Sequence, residues 1–161
     1  LKKYYINMQA INIGEGLGRI KFGITPSELK TLLGEPDEKE SFPPDTIDDL
    51  PTENWHYDEK EISVSFVEEN GWKLESIAIS GPDYELNGIK LIGLPIDNVV
   101  SELEKMNIGE ILHEDLSDED DADFELLSIG EKSIYFWFDD EILKEISWGP
   151  FYDEENNPIW S

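Results

Sequence analysis

The chain has 161 residues, of which 39% are hydrophobic, so it is long enough for one domain or for two small units that share a core. Its 38 Asp and Glu residues against 12 Lys and Arg residues give a formal net charge of -26. This charge repels nucleic-acid phosphates and anionic lipids, and it favours a basic protein as the partner. The sequence has no cysteine, which excludes disulfides, thiolate nucleophiles and cysteine-bound zinc.

The first predicted helix follows a short lead-in segment. Residues 1–19 contain spaced apolar residues and three glycines, and we expect a strand or loop there. Thr25 supplies an N-cap hydroxyl, Pro26 stands at the first helical position and Glu28 at the third, a combination typical of a capping box. Gly34 is expected to end this helix, because glycine readily adopts a left-handed backbone.

Antiparallel strands are predicted after this helix. The segment 41–51 is rich in Pro and Asp and is expected to be a loop. Over 62–66, large apolar residues alternate with two serines, which is typical of a strand with one buried face. Asn-Gly at 70–71 indicates a hairpin turn into a strand over 72–79. Residues 55–57 are expected to add one further strand.

The same order of elements recurs in the second half of the chain. Pro95 and Asp97 are expected to open a second helix, which Gly109 ends. An acidic loop is predicted over 115–123. Strands are predicted over 124–129, 134–138 and 142–148, with a turn at 139–141.

The recurrence predicts the fold class and its organisation. We expect an α+β fold of two tandem units, each a short helical segment followed by an antiparallel β-meander, with the sheets joined into one curved surface. The units are expected at 20–88 and 89–161, after the lead-in at 1–19. Five Trp, six Tyr and seven Phe residues indicate a folded body, since acidic disordered chains have few aromatics.

The central strand of the second unit departs from the first. Tyr135 and Trp137 stand where the first unit has serines, so residues 134–138 are all large and apolar. Successive side chains of a strand point to opposite faces, so these five cannot all face one core. Either the aromatic C-terminal segment over 151–160 covers the second face, or that face is offered to a partner.

No group of residues is typical of a catalytic or metal site. The Gly-x-Ser-x-Gly motif does not occur, and the glycines at 14–18 precede no Lys-Ser or Lys-Thr pair. The acidic run at 118–123 lacks the glycine of an EF-hand loop, which leaves calcium binding, a partner-facing loop and a solvated loop as interpretations. Carboxylates paired for glycosidase chemistry are defined by their separation across a cleft, which sequence spacing does not show. We therefore predict no catalytic residue, no metal site and no cofactor.

One segment resembles a known family. Phe-Gly-Ile-Thr-Pro-Ser-Glu-Leu at 22–29, followed by Leu-Gly-Glu-Pro at 33–36, resembles the helix start and end of the small outer-membrane lipoproteins of the barrel assembly machine. Two such units in tandem are similar to the secreted β-lactamase inhibitor proteins, and that resemblance implies a concave sheet face that grips an enzyme. It implies Tyr135 and Trp137 on the gripping surface, with Trp55 or Tyr57 alongside. The cysteines of that family are missing here, which favours a cytosolic inhibitor.

These observations predict a binding protein. We expect a non-enzymatic inhibitor of the immunity-protein kind that neutralises a basic toxin, such as a nuclease, in the cytoplasm, with no nucleic-acid partner and no membrane span. The alternatives are a cell-envelope structural or assembly protein, which a leader upstream of Leu1 would favour, a secreted enzyme inhibitor of the β-lactamase inhibitor type, and an enzyme or carbohydrate-binding domain. The predicted partner-binding residues are aromatic or acidic: Tyr135, Trp137, Trp55, Tyr57, Asp118, Glu119, Asp120, Asp121, Asp139 and Asp140.

Overall fold

The computed structural model describes residues 7–42 and 51–160, and this part of the chain is mostly β. Strands make up 44% of it and helices 17%. The predicted α+β fold of two tandem helix-and-meander units is therefore wrong. Two short helices accompany large antiparallel sheets, and one sheet joins strands of the predicted lead-in to strands at the two ends of the first predicted unit.

The largest element is one continuous sheet of eight strands. Its strands are β4 (Glu38–Phe42), β5 (Thr52–Tyr57), β6 (Ile62–Val67), β7 (Lys73–Ile79), β9 (Leu112–Asp115), β10 (Phe124–Ile129), β11 (Ile134–Asp139) and β12 (Ile142–Trp148). Their order in the sheet is β4-β5-β6-β7-β12-β11-β10-β9, and all neighbouring strands are antiparallel.

A smaller sheet is formed largely by the N-terminal segment. Its strands are β1 (Ala10–Asn12), β2 (Gly16–Leu17), β3 (Ile20–Lys21) and β8 (Glu85–Leu86). Their order is β3-β2-β1-β8, and β8 pairs in parallel with β1. A short ribbon of β13 (Phe151–Tyr152) and β14 (Pro158–Ile159) follows the large sheet in the chain. Because β8 reaches back to residues far away in sequence, this sheet does not follow a local repeat.

The two helices begin where the sequence predicts. Helix α1 (Pro26–Leu33) has the full capping box between Thr25 and Glu28, and Gly34 follows it with a φ of 83°. Helix α2 (Ile96–Met106) begins after Pro95 but ends at Asn107, whose backbone is left-handed, rather than at the predicted Gly109. Within the described residues, neither helix has the length and hydrophobicity that crossing a membrane requires.

Most of the predicted strands are confirmed, and one loop prediction is not. The predicted strands over 62–66, 124–129 and 134–138 correspond to β6, β10 and β11. In the predicted loop over 41–51, residues 41 and 42 belong to β4, while residues 43–50 lie outside the described part of the chain.

The hydrophobic core lies on one face of the large sheet. Ile62, Val64 and Phe66 of β6 are buried there, in one cluster with Leu29 of α1 and Leu103 of α2. The small sheet contributes to the same cluster through Ile11, Leu17, Ile20 and Leu86. The helices and the small sheet thus cover one face of the large sheet, and the side chains that alternate with this core point to the other face. We call that second face the outer face.

Candidate protein-binding surface

Tyr135 lies on the outer face and is exposed to solvent. Its neighbours on β11, Ile134 and Phe136, are fully buried, whereas 38% of Tyr135 is exposed. The run of large apolar residues on β11 therefore alternates between the core and the outer face, as a strand must.

The middle of the outer face is made of small side chains. Strand pairing aligns His56, Ser63, Ala78, Ser147, Tyr135 and Ser128 in one row across six strands. A neighbouring row contains Asn54, Ser65 and Ser76. We call these small residues the serine row; its members are Ser63, Ser65, Ser76, Ala78, Ser128 and Ser147. Of these, Ser63, Ala78 and Ser147 lie between His56 and Tyr135, whereas Ser128 lies beyond Tyr135 and is buried.

Trp137 is half-buried on the same face and is fixed by two contacts. Its ring stacks on Phe124 with a centroid separation of 5.9 Å and an interplanar angle of 20°. Its Nε1 donates a hydrogen bond of 3.0 Å to Oγ of Ser147. Glu145 is paired with Trp137 across the strands, and burial raises the pKa of its carboxyl group. Trp137 therefore presents a fixed ring edge beside Tyr135.

A cavity of about 220 Å³ lies next to Tyr135. Its lining residues come from β7, β11, β12 and the segments beside them: Glu75, Ser76, Ser133, Tyr135, Ser147, Trp148, Gly149 and Tyr152. The hydroxyl group of Tyr152 donates a hydrogen bond of 3.0 Å to Oε1 of Glu75. Burial and the nearby Glu75 carboxylate raise the pKa of Tyr152. We call this space the Tyr135–Tyr152 cavity.

A β-bulge explains the position of Glu75. Ser65 pairs with Ser76 and Phe66 pairs with Leu74, so Glu75 is the extra residue between them. A β-bulge changes the direction in which the side chain of its extra residue points. Sequence reasoning did not identify Glu75 or Tyr152 as site residues, because neither the bulge nor the path of the C-terminal segment leaves a local sequence signal.

The C-terminal segment leaves Tyr135 partly exposed. Phe151 lies against Gly14, where an added Cβ would come within 2.5 Å of its ring, and Trp160 lies against Gly23 in the same way at 3.0 Å. These contacts hold the segment against the N-terminal part of the chain. Of its aromatic residues, Tyr152 lines the cavity beside Tyr135.

Two predicted binding residues point into the core instead. Trp55 is 2% exposed and Tyr57 is 3% exposed, so the prediction that they lie alongside Tyr135 and Trp137 is wrong. Tyr57 donates a hydrogen bond of 2.9 Å to the carbonyl oxygen of Gly34, and Lys39 lies over the ring of Trp55 at 4.7 Å. The period of two along β5 places His56, rather than its neighbours, on the outer face.

An acidic cavity surrounds His56. Nδ1 of His56 lies 2.7 Å from Oγ of Ser63, and Nε2 lies 3.0 Å from Oε1 of Glu40. The cavity has a volume of about 330 Å³ and is lined by four carboxylate side chains, those of Glu38, Glu40, Asp58 and Glu61. The outer face therefore carries negative charge at the end opposite Tyr135.

The predicted acidic residues of the second half lie together at one end of the sheet. All six carboxylates named from the sequence are exposed: Asp118, Glu119, Asp120, Asp121, Asp139 and Asp140. The amide of Asp140 donates a hydrogen bond of 3.1 Å to the carbonyl oxygen of Asp123, which brings the two segments together. The carboxylate of Asp118 accepts hydrogen bonds from the backbone amides of Asp120 and Asp121, which stabilise the turn that Asp118 begins. Among the described residues, no group of three or more His, Asp or Glu side chains is arranged to hold a metal ion.

Comparisons with known proteins do not assign this chain to a family. No protein family matches it, and neither the curated proteins nor the solved structures give a significant match. The resemblance of residues 22–36 to the lipoprotein helix therefore stays an expectation from the sequence.

Proposed function

We propose that this protein is a non-enzymatic inhibitor that binds a basic protein through the outer face of its large sheet. The partner of this proposal is a toxin such as a nuclease, and the protein is then an immunity protein. The observation that carries the proposal is the exposed ring of Tyr135 on the outer face of the large sheet, in a chain with a net charge of -26.

The aromatic side chains supply the contact area. Tyr and Trp are the residues most enriched at interface hot spots, because each covers a large area and also has a polar group. Tyr135 and Tyr152 are both more than a third exposed, and Trp137 is held in place between Phe124 and Ser147. A partner that covers these rings gains burial with little loss of side-chain freedom.

The charges supply steering and selectivity. The carboxylates of the 118–121 segment and of Asp139 and Asp140 lie at one end of the sheet, and those around His56 lie on the outer face. These clustered negative charges accelerate association with a cationic surface and repel polyanions. Bound to a nuclease, they would occupy the place of the substrate phosphates.

The proposal is tested with an identified partner rather than by capture alone. A tagged chain is exposed to an extract of the producing cell at low salt, the captured basic protein is purified, and both its binding and its activity are measured against the wild type. We expect inhibition of the partner at equimolar ratio and an affinity that weakens as salt rises.

Matched variants locate the surface. Tyr135→Ser should weaken binding by about 2 kcal/mol or more, the loss typical of a hot-spot residue. Leu32→Ser, which removes an exposed apolar residue of α1 on the core side of the sheet, should bind as the wild type does. Capture of no basic protein at low salt, or equal affinity of both variants, would contradict the proposal.

A further inference from the structure

We infer that the Tyr135–Tyr152 cavity receives an arginine side chain of the bound partner. This inference rests on the proposed function and names the group that the partner contributes. Three properties of the cavity argue for a guanidinium group: one prepared carboxylate, two aromatic rings and a polar floor.

The carboxylate is that of Glu75, and neighbouring donors hold it in place. Its Oε1 accepts hydrogen bonds of 3.0 Å from the hydroxyl group of Tyr152 and 3.0 Å from Nδ2 of Asn70. In the described part of the chain, no hydrogen bond is made to Oε2. A carboxylate with one oxygen fixed and the other open is prepared to accept a charged N–H donor.

The two tyrosine rings add affinity for a cation. Tyr135 and Tyr152 both line the cavity, and their exposed fractions are 38% and 42%. A cation over a tyrosine ring is attracted by the negative face of the ring. Arginine suits this arrangement better than lysine, because its guanidinium group is flat, stacks on aromatic rings and has several N–H donors.

The floor of the cavity can pair with the remaining donors. Ser76, Ser133 and Ser147 are among the residues that line it. Oγ of Ser147 already accepts from Nε1 of Trp137, so that hydroxyl group links the cavity to the neighbouring aromatic ring. Changes inside the cavity should therefore alter the environment of the Trp137 indole.

The test uses small probes and nuclear magnetic resonance of the whole chain. N-acetyl-arginine amide is titrated into the ¹⁵N-labelled protein, and N-acetyl-citrulline amide, which has nearly the same shape without the charge, is the paired probe. We expect arginine to shift the amide signal of Gly149 and the indole signal of Trp137. The citrulline probe should bind about tenfold more weakly or worse, as a lost charge-assisted hydrogen bond implies.

Two charge-matched variants separate this cavity from general attraction to an acidic protein. Glu75→Gln keeps the size of the side chain and should weaken arginine binding about tenfold. Glu61→Gln removes the same charge from the His56 cavity and should leave those shifts unchanged. Unchanged signals elsewhere in the spectrum show that each variant is folded.

The outcomes also separate this inference from the proposed function. Equal shifts from citrulline, equal shifts from a neutral sugar such as maltose, or arginine shifts that Glu75→Gln leaves intact would overturn the inference. Wild-type affinity of Glu75→Gln for an identified basic partner would also overturn it, while leaving the proposed function in place. Failure of the wild type to bind any basic protein would instead remove the proposed function on which the inference rests.

Discussion

Nε1 of Trp148 donates a hydrogen bond of 3.0 Å to the carbonyl oxygen of Gly16. Trp148 ends β12 in the large sheet, and Gly16 begins β2 in the small sheet. The indole is 1% exposed, so this bond joins the two sheets inside the core. If this hydrogen bond is lost, water does not reach the buried carbonyl oxygen to take the place of the indole donor.

Replacement of this indole should lower stability clearly. Trp148→Phe removes the buried indole donor to the Gly16 carbonyl oxygen, and the loss of a buried hydrogen-bond partner costs about 1–3 kcal/mol. The smaller ring adds a cavity cost to that figure. Urea denaturation followed by circular dichroism measures the loss.

Trp137→Phe is the control: it breaks the half-buried bond to Ser147 and should cost about 0.5–1.5 kcal/mol. A smaller loss for Trp148 than for Trp137 would contradict the argument.

Adjacent residues of β11 should respond in opposite ways to truncation. Tyr135→Ser should change the free energy of unfolding by about 1 kcal/mol at most, because the ring is exposed. Phe136→Ala should cost about 3–5 kcal/mol, because it empties part of the core. Thermal and urea unfolding of the two variants make the comparison. Severe destabilisation by Tyr135→Ser would show that the ring is covered in solution.

Gly149 should tolerate no side chain. A Cβ atom there would lie 2.9 Å from the carbonyl oxygen of Glu75, which is backbone and cannot turn aside. Gly149→Ala should therefore destabilise the protein by about 1–3 kcal/mol and disturb the bulge that carries Glu75. Gly130→Ala is the matched control, because an added Cβ at that position meets no atom within 4 Å. Differential scanning calorimetry should show a lower Tm for the first variant alone.

The hydroxyl group of Tyr57 should make stability depend on pH in alkali. Burial, with the nearby Glu35 and Asp37 carboxylates, raises the pKa of Tyr57 from 10.0 to about 12. Between these two pH values the folded state keeps the phenol proton, whereas the unfolded chain releases it. The contribution of the phenol to the free energy of unfolding is therefore complete below about pH 10 and is lost as pH rises towards about 12.

The variant Tyr57→Phe isolates this effect. At neutral pH it should be less stable than the wild type by about 0.5–1.5 kcal/mol, because the bond to Gly34 is lost. The difference should shrink as pH rises above about 10, where the wild type alone loses the contribution of the phenol. Urea denaturation at a series of pH values measures it. A difference that stays constant with pH would contradict the assignment.

Local patterns predicted the individual elements better than their assembly. The capping box of Thr25 and Glu28 and the alternation over 62–66 are signals carried by neighbouring residues, and both appear in the structure. The small sheet was not predicted, because β1 pairs with β8 across more than seventy residues. Such pairing depends on the whole fold and leaves no periodic mark in the sequence. The fold class was misjudged for that reason.

The candidate site was predicted in part. Tyr135 and Trp137 were recognisable because they interrupt an alternating strand pattern, and Tyr135 is exposed. Trp55 and Tyr57 were assigned to the wrong face, although the period of two already placed them together and opposite to His56. Glu75 and Tyr152 meet only through a bulge and a returning C-terminal segment, so tertiary structure was needed to find them.

The serine row has a consequence for the speed and thermodynamics of recognition. Serine and alanine side chains have few rotamers to lose. A partner that contacts the serine row therefore does not have to immobilise long, flexible side chains. Binding of the proposed partner there should therefore need little rearrangement and should resemble the association of two rigid bodies rather than coupled folding and binding.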